Sequence, residues 1–206
     1  DGGTTLDAFA AAKGLTLAAL FSPEHGISVT LDDEFGSSRD ATTGLQVHSL
    51  YGGTRRPDPS TLAGLDAIVI DLPDVGARFY TYMTTLALMM EEAAKKKVPV
   101  VVLDRPNPIG GVRVEGPLLD KGLEHFAGYY TMPVRHGLTL GELVRLFNGE
   151  KRMGADLAVV EVRGWARDRW FDETGLVWAN PSPNMRNLHQ ATLYPGIGAI
   201  EWSNVS

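Results

Sequence analysis

The chain has 206 residues, 44% apolar and 21% charged, which is enough for one sizeable core, so we predict a single domain over residues 1–206. Its net charge of −6 and pI near 5.3 provide no basic footprint for nucleic acid or for an anionic membrane surface. The absence of cysteine excludes disulfides and thiol catalysis, and no apolar run reaches the roughly 18 to 20 residues of a membrane span.

The N-terminal part predicts short elements separated by polar loops. A threonine at position 4 can cap a helix over residues 4–14, and Gly14 suits a left-handed stop. The elements that follow are a strand over residues 15–21, an exposed loop over 27–43, a short strand over 45–51 and a short helix from Pro59 to Leu65.

The middle of the chain alternates strand, helix and strand. Residues 66–72 (DAIVIDL) form a continuous β-branched run, which predicts a strand buried on both faces. A helix from Arg78 to Lys97 has apolar residues at spacings of three and four, and its methionines suit core filling. Residues 98–103 predict the next buried strand. Short links between these elements indicate a parallel, right-handed α/β sheet.

The C-terminal part is less regular. We predict an extended loop over residues 106–117, a strand over 129–134, a helix opened by the Thr139–Glu142 capping box, and a last strand over 157–162. Beyond Arg163 the chain is aromatic and predicts loops. Because a helix precedes the first strand and the chain stops in a polar segment, we expect a fragment of a longer protein.

Three apolar runs end in charged turns: Phe21–Gly26, Asp71–Asp74 and Asp104–Asn107. In open α/β sheets, ligands bind beyond the carboxyl ends of the strands. We therefore expect a carboxylate-rich site where these turns meet. Glu24, followed by His25, is the first candidate for a general acid or base, and its structural alternative is a helix cap or an arginine pair.

The second turn offers two carboxylates. Asp71 and Asp74 could bind a metal, order sugar hydroxyls or act on a water, and a cap on the following helix is an equal alternative. Just after them, Arg78 could bind an anion, and Tyr80 and Tyr82 supply two phenols.

The remaining candidates lie further along the chain. For Arg105 we favour a structural pair with Asp104 or with a neighbouring aspartate. Glu115 lies in a glycine-rich loop that could carry a second carboxylate towards Glu24. His136 either faces the same cleft or is a hydrogen-bonded structural residue. The chain has no nucleotide-binding glycine motif, nucleophile elbow or H-E-x-x-H sequence, so we predict no cofactor and no metal.

Taken in order, several motifs resemble the NamZ-like family of exo-β-N-acetylmuramidases, long known as a bacterial family of unknown function. The resembling stretches are SPEHG (22–26), SLYG (49–52), DVGARFYTY (74–82), LDRPNPIGG (103–111), VEGP (114–117), PVRHG (133–137) with GEL (141–143), and PSPNM (181–185). They span nearly the whole chain, and the long ones are specific.

The resemblance implies a Rossmann-like catalytic domain, with a parallel sheet flanked by helices, followed by a smaller auxiliary domain. It implies removal of N-acetylmuramic acid from the non-reducing end of peptidoglycan fragments. Family members begin with a strand before the first helix and continue beyond the equivalent of Ser206, and this chain lacks both. It also has Glu201-Trp-Ser-Asn204 where the family usually has Glu-Gly-Thr-Asn.

Glycoside hydrolysis needs an acid and usually a second carboxylate. We predict Glu24 as the acid and Glu115 as its partner, with Asp74 as the reserve. Arg78 or Arg105 would meet the lactyl carboxylate of muramic acid. The other predicted substrate contacts are His25, Tyr80, Tyr82, Asp104, Asn107, His136 and Asn184.

Two alternatives stay open at this point. One is a metal-dependent hydrolase that uses Asp71, Asp74 and His25, and the other is a non-catalytic binder of cell-wall sugars. The predicted partners are muramyl saccharides derived from peptidoglycan, which favours a secreted or periplasmic location over a cytoplasmic one.

Overall fold

The computed structural model describes residues 3–27 and 38–202, and within them the chain forms eight strands and four α-helices. The helices are α1 (Thr5–Ala11), α2 (Tyr82–Lys96), α3 (Leu140–Glu150) and α4 (Leu188–Ile197), with short 3₁₀ helices at Phe171–Glu173 and Gly198–Trp202. The strands are β1 (Leu20–Ser22), β2 (Ser38–Arg39), β3 (Gln46–Ser49), β4 (Ile68–Ile70), β5 (Val100–Leu103), β6 (Glu115–Leu118), β7 (Pro133–Arg135) and β8 (Leu157–Val160). Most of the predicted 27–43 loop and the end of the Glu201–Asn204 segment lie outside the described residues.

The central sheet is parallel, in the order β4-β5-β8. One face is packed under α2 and α3, where Ile68, Ile70, Val100 and Val102 are all buried in the main core. These elements follow one another as strand, helix, strand, helix and strand, which is the pattern of right-handed crossover units. The predicted α/β fold with a parallel sheet flanked by helices is confirmed.

The opposite face of this sheet is more open than predicted. Val69 on β4 is 40% exposed and Val160 on β8 is 55% exposed. The prediction that residues 66–72 are buried on both faces is therefore wrong. A β-branched run has the same appearance whether one face or both are covered, because Val and Ile favour strands in either case.

A second sheet has the order β1-β3-β2, with β1 and β3 parallel and β2 antiparallel to β3. The strand predicted over residues 15–21 is much shorter and covers only Leu20–Ser22. Ser22 is the register partner of Ser49, and the Leu50 amide donates to the Ser22 carbonyl at 2.8 Å. This pairing fixes the point at which the turn containing Glu24 leaves the sheet.

A two-stranded antiparallel sheet begins at the end of the region predicted as loop. β6 and β7 pair antiparallel, with Glu115 opposite Arg135, and the register is irregular between Glu115 and Leu118. An isolated bridge joins Ala77 to Arg135, so this sheet also contacts the segment that leads into α2. The prediction of an extended loop over residues 106–117 is thus wrong at its end, and the 129–134 strand is shifted to Pro133–Arg135.

The predicted helix starts were accurate where they were local, but α1 ends at Ala11, so Gly14 is not its C-terminal stop. Both predicted caps form, since Thr4 and Thr139 each make a reciprocal capping box, with Asp7 and with Glu142. α2 begins at Tyr82, four residues later than predicted, and ends before Lys97, which is left-handed at φ 56°. Its methionines are buried in the core, as predicted.

One predicted helix is absent, and one observed helix was not predicted. Residues 59–65 form successive turns, with the Asp58 carboxylate accepting from the Ser60 amide at 2.8 Å. α4 lies in the region predicted as loop from its aromatic residues, and it forms despite Pro195, although proline normally argues against a helix interior. Its N-cap is Asn187, whose side chain accepts from the Gln190 amide at 3.1 Å. None of the helices in the described ranges combines the length and the apolar character that crossing a membrane requires.

Candidate functional site

The turn that follows β1 contains Glu24, and its backbone is strained just after that residue. His25 has φ 72° and Gly26 has φ 78°, so two consecutive residues are left-handed. A non-glycine residue in this region costs of order 1–3 kcal/mol, and such residues concentrate at functional sites. The turn therefore presents Glu24, which is half-buried, at the carboxyl end of a parallel strand.

The beginning of α2 fixes Glu24 at two points. The Thr81 hydroxyl donates to Glu24 Oε2 at 2.7 Å, and the Tyr82 hydroxyl lies 2.9 Å from the Glu24 main-chain oxygen. Thr81 is the N-cap residue of α2 but makes no side-chain cap hydrogen bond. Its hydroxyl orients the carboxyl group of Glu24 instead of stabilising its own helix.

Two buried tyrosines lie behind this carboxyl group. The rings of Tyr80 and Tyr82 are 4.7 Å apart, and their hydroxyls lie 2.6 and 3.0 Å from the Pro181 carbonyl oxygen. Burial raises the pKa of both phenols, and the neighbouring charges of Asp74 and Glu24 add to this for Tyr80 and Tyr82 respectively. Both hydroxyls therefore stay protonated and act as hydrogen-bond donors.

Asp74 and His136 form a buried pair beside Tyr80. Asp74 Oδ2 accepts from the Gly76 amide at 2.7 Å and lies 3.2 Å from His136 Nε2. The distance is within ion-pair range, but the atoms are not aligned as a hydrogen bond, and neither His136 Nε2 nor Asp74 Oδ1 has such a partner among the described residues. We therefore treat the contact as electrostatic.

Glu115 lies at the start of β6, opposite Arg135 on β7. Its side chain is 50% exposed, with Oε2 2.8 Å from Arg135 Nη1 and Oε1 3.4 Å from Arg113 Nη1. The hydrogen bond from Arg135, with a smaller contribution from Arg113, lowers the pKa of the Glu115 carboxyl. Glu115 is thus held as a carboxylate.

A cavity of about 280 Å³ adjoins Glu115 and Arg135. Trp170 forms part of its wall, and the Arg135 guanidinium carbon lies 5.4 Å from the Trp170 ring centre. The remaining lining residues are Ile109, Gly116, Val134, Thr192, Pro195 and Gly196. The cavity combines an apolar wall with one carboxylate and one guanidinium.

The third charged turn is used for structure. Asp104 accepts from the Thr139 hydroxyl at 2.9 Å and from the Gly141 amide at 2.7 Å, at the start of α3. Arg105 makes a two-point contact with Asp71, at 2.5 and 2.8 Å, so the predicted pair with a neighbouring aspartate is confirmed. Asp71 also accepts from the Thr5 hydroxyl.

Two more residues that were predicted to contact the substrate form hydrogen bonds with main-chain groups. Arg78 Nη1 donates to the Pro117 carbonyl at 2.9 Å and to the Met132 carbonyl at 2.5 Å. The Asn107 side chain is buried between the Leu138 carbonyl and the Ile109 amide. Their substrate-binding roles, like those of Asp104 and Arg105, remain predictions that these contacts do not favour.

The structure therefore brings some predicted residues together and separates others. Glu24, Tyr80 and Tyr82 are joined by a hydrogen bond and a ring contact, and the buried Asp74–His136 pair lies where the chain approaches Tyr80; we call these five residues the tyrosine cluster. Of the other predicted residues, Glu115 lines the cavity described above and Asn184 is exposed. Within the described part of the chain, no three His, Asp or Glu residues are grouped so that they could hold a metal ion.

The sequence model of the family described as "Exo-beta-N-acetylmuramidase NamZ, N-terminal" matches residues 1–189. The chain belongs to this family. It is 46% identical over 194 residues to the peptidoglycan beta-N-acetylmuramidase NamZ of Bacillus subtilis (strain 168), an alignment that covers 93% of this chain and 47% of the relative.

Two solved structures of DUF1343 family proteins from Bacteroides fragilis NCTC 9343 share the fold. One has a TM-score of 0.90 and 39% identity, and covers 97% of this chain and 51% of its own. The other has a TM-score of 0.73 and 26% identity, and covers 89% and 56%. The chain thus spans about half the length of the relatives it matches. The predicted NamZ family membership is confirmed.

The sequence analysis missed two residues of this NamZ-family site. Thr81 lies between Tyr80 and Tyr82, and Arg135 directly precedes His136, so both fall inside motifs that were recognised. The available signal was their position within those motifs. Their roles depend on Glu24 and Glu115, which are distant in sequence, and spacing alone does not reveal such contacts.

Proposed function

We propose that this NamZ-family chain carries the catalytic carboxyl groups of a glycoside hydrolase that removes N-acetylmuramic acid from the non-reducing end of peptidoglycan fragments. Family membership and the relative named as a peptidoglycan beta-N-acetylmuramidase support the substrate class. The observation that carries the proposal is the placement of Glu24. It lies half-buried at a strand end, and a donated hydrogen bond sets the direction of its carboxyl group.

The contact with Thr81 suits an acid. A hydroxyl that donates to Oε2 leaves the acidic proton on Oε1, which accepts no hydrogen bond from a described residue. A carboxylic acid with one oxygen held in this way presents its proton in one direction. That is what protonation of a glycosidic oxygen requires.

For the second carboxylate we favour Glu115 over Asp74. Glu115 is exposed at the cavity, and its lowered pKa keeps it ionised, as a base or nucleophile must be. Asp74 is a carboxyl group at the tyrosine cluster, but its side chain is only 3% exposed. Direct contact between Asp74 and a sugar would need the cluster to open.

The lactyl carboxylate of muramic acid calls for an accessible guanidinium. Of the two arginines predicted for this role, Arg78 donates to main-chain carbonyls and Arg105 pairs with Asp71. Arg113 is 69% exposed, next to Glu115, and its contact with Glu115 is long, at 3.4 Å. We therefore propose Arg113 for the lactyl carboxylate, because a planar guanidinium can pair with a carboxylate at two points.

Release of the chromophore from a chromogenic N-acetylmuramide by the complete gene product tests the proposal. Glu24→Gln should lower kcat by at least about 100-fold, the lower end of general acid catalysis. Glu161→Gln is the control, because Glu161 is an exposed partner of Arg145 and should retain full turnover. Wild-type turnover in Glu24→Gln would remove Glu24 from the acid role.

The same assay separates the two alternatives. Binding of the muramide without turnover by the wild-type protein would identify a sugar-binding protein instead of an enzyme. Activity that disappears in EDTA and returns with a divalent cation would favour the metal-dependent hydrolase. Asp71 is engaged by Arg105 and Thr5, which weighs against the ligand set of that alternative.

We also propose a secreted or periplasmic location. Peptidoglycan lies outside the cytoplasmic membrane, and a chain without cysteine has no thiols to protect there. Fractionation of the native cells followed by immunoblotting tests this, and a purely cytoplasmic signal would contradict it.

A further inference from the structure

A series of contacts runs between Glu115 and Glu24, and the buried contact of His136 with Asp74 lies in the middle of it. Arg135 and His136 are adjacent, at the end of β7 and directly after it, and they face different partners. Arg135 holds Glu115, while His136 contacts Asp74, whose turn leads along the chain to Tyr80 and Tyr82. Tyr80 shares the Pro181 carbonyl with Tyr82, and Tyr82 reaches the main-chain oxygen of Glu24.

The protonation of the His136 ring follows from its contacts. The Leu138 amide donates to His136 Nδ1 at 3.1 Å, so this nitrogen is an acceptor and carries no proton. The ring proton is therefore on Nε2, which faces Asp74 Oδ2. The His136 side chain has no solvent exposure, so it does not reach a substrate, contrary to the contact role predicted for it.

We propose that His136 is a positioning residue that, through Asp74, fixes the separation between Glu24 and Glu115. The main chain supports this role, because Arg78 N donates to the Val134 carbonyl at 2.8 Å and Ala77 bridges Arg135. The Asp74 turn and β7 are thus attached along their backbones, and the His136–Asp74 contact is the side-chain link at the same junction. This inference rests on the proposed glycosidase function.

The consequence for catalysis concerns turnover more than binding. The separation of the two carboxyl groups decides whether an acid and its partner can act on one bond, and a misplacement of about 1 Å can cost on the order of 100-fold in rate. Loss of His136 should therefore lower kcat by about 10-fold to 100-fold and leave KM within about twofold. A residue that contacted the sugar would instead change KM.

The test compares substitutions in the complete gene product, with the chromogenic N-acetylmuramide as substrate. His136→Phe keeps the ring volume but removes the Nε2–H group whose dipole faces Asp74 Oδ2, whereas the amide of His136→Gln can place an N–H group at the same position. We expect the kcat loss in His136→Phe and its recovery to within about threefold in His136→Gln. His48→Gln is the control, because His48 lies on β3, stacked on Phe21. If His136→Phe does not fold, His136→Asn, whose shorter side chain cannot place its amide at the Nε2 position, replaces it.

A rise in KM at unchanged kcat, or equal losses in His136→Phe and His136→Gln, would overturn the proposal. A second measurement does not depend on activity: nitrogen NMR of the labelled wild-type protein should show the proton on Nε2 of His136, and a proton on Nδ1 would contradict the geometry. If the wild-type protein does not cleave the muramide, the glycosidase function fails while this tautomer can still be measured. The two failures are therefore distinguishable.

Discussion

The Thr81 hydroxyl donates to Glu24 Oε2 at 2.7 Å, across 57 residues of sequence. Thr81 directly precedes α2 and has helical backbone angles, φ −72° and ψ −15°, so its hydroxyl is not placed to cap the helix. The hydroxyl is therefore available to orient the carboxyl group of Glu24.

Thr81→Val is expected to lower kcat for the muramide about 10-fold, because the carboxyl group of Glu24 loses its one described donor and the acidic proton can move to either oxygen. Thr81→Ser keeps the hydroxyl and should stay near wild type. The matched control is Thr85→Val, one turn along α2, since the buried Thr85 hydroxyl has no hydrogen-bond partner among the described residues. Equal activity of Thr81→Val and Thr81→Ser would show that the bond has no catalytic role.

The pair formed by Asp71 and Arg105 predicts a loss of stability in acid. Burial would raise the pKa of the Asp71 carboxyl, but hydrogen bonds from Arg105 and Thr5 outweigh this effect, so the pKa lies below the ordinary value of an aspartate. A carboxyl group with a lowered folded-state pKa stabilises the protein above the unfolded-state pKa. That stabilisation should be present above about pH 4 and disappear as the pH falls through the folded-state pKa.

Asp71→Asn measures this contribution. Arg105 is half-exposed, so solvent screens the pair, and we expect a loss of about 1–2 kcal/mol in the free energy of unfolding at pH 7. Urea denaturation of both proteins from pH 7 to pH 3 provides the comparison. The difference between them should shrink below pH 4, and a difference that stays constant across this range would refute the assignment.

Capping boxes and apolar runs were readable from the sequence because they depend on neighbouring residues. The box between Thr139 and Glu142 lies within four positions, and it forms as predicted. The run at residues 66–72 gave the strand but not its environment, since the exposure of Val69 depends on what covers the sheet. α4 was missed because the region beyond Arg163 was assigned to loops from its aromatic residues, which carry no helix periodicity.

The candidate site divides in the same way. The motif order identified the family, and strand ends gave Glu24 and Asp74 as residues near the site. The partners of these carboxyl groups come from distant segments, as with Thr81 for Glu24 and His136 for Asp74. Local spacing contains no information on such pairs. For the same reason, the sequence predicted that Arg78 binds the carboxylate of a ligand and did not reveal that its guanidinium donates to main-chain carbonyls.

Gly76→Ala should destabilise the protein by about 2–4 kcal/mol, because overpacking and a left-handed alanine both carry a cost. Gly76 has φ 81°, and an added Cβ would lie 2.6 Å from Ile109 Cγ1 and 2.7 Å from Asn107 Oδ1. Gly64→Ala is the matched control, since Gly64 has φ 80° and open space around it. Thermal or urea unfolding of both variants separates the backbone cost, which they share, from the steric cost that only Gly76 carries. Equal destabilisation of the two would contradict a tight fit around Gly76.

Arg113→Gln should reduce the preference for muramic acid over glucosamine. Arg113 is exposed beside Glu115, and its guanidinium is the accessible one proposed for the lactyl carboxylate. Loss of a charged hydrogen bond of about 1.5–3 kcal/mol predicts roughly a 10-fold to 100-fold lower kcat/KM for an N-acetylmuramide. An N-acetylglucosaminide lacks the lactyl group, so its slower cleavage should change by less than about threefold.

Arg145→Gln, which removes the partner of Glu161 on the surface, is the control and should leave the cleavage of both substrates unaffected. An equal loss on both substrates would assign Arg113 to the orientation of Glu115 instead of to recognition of the lactyl group.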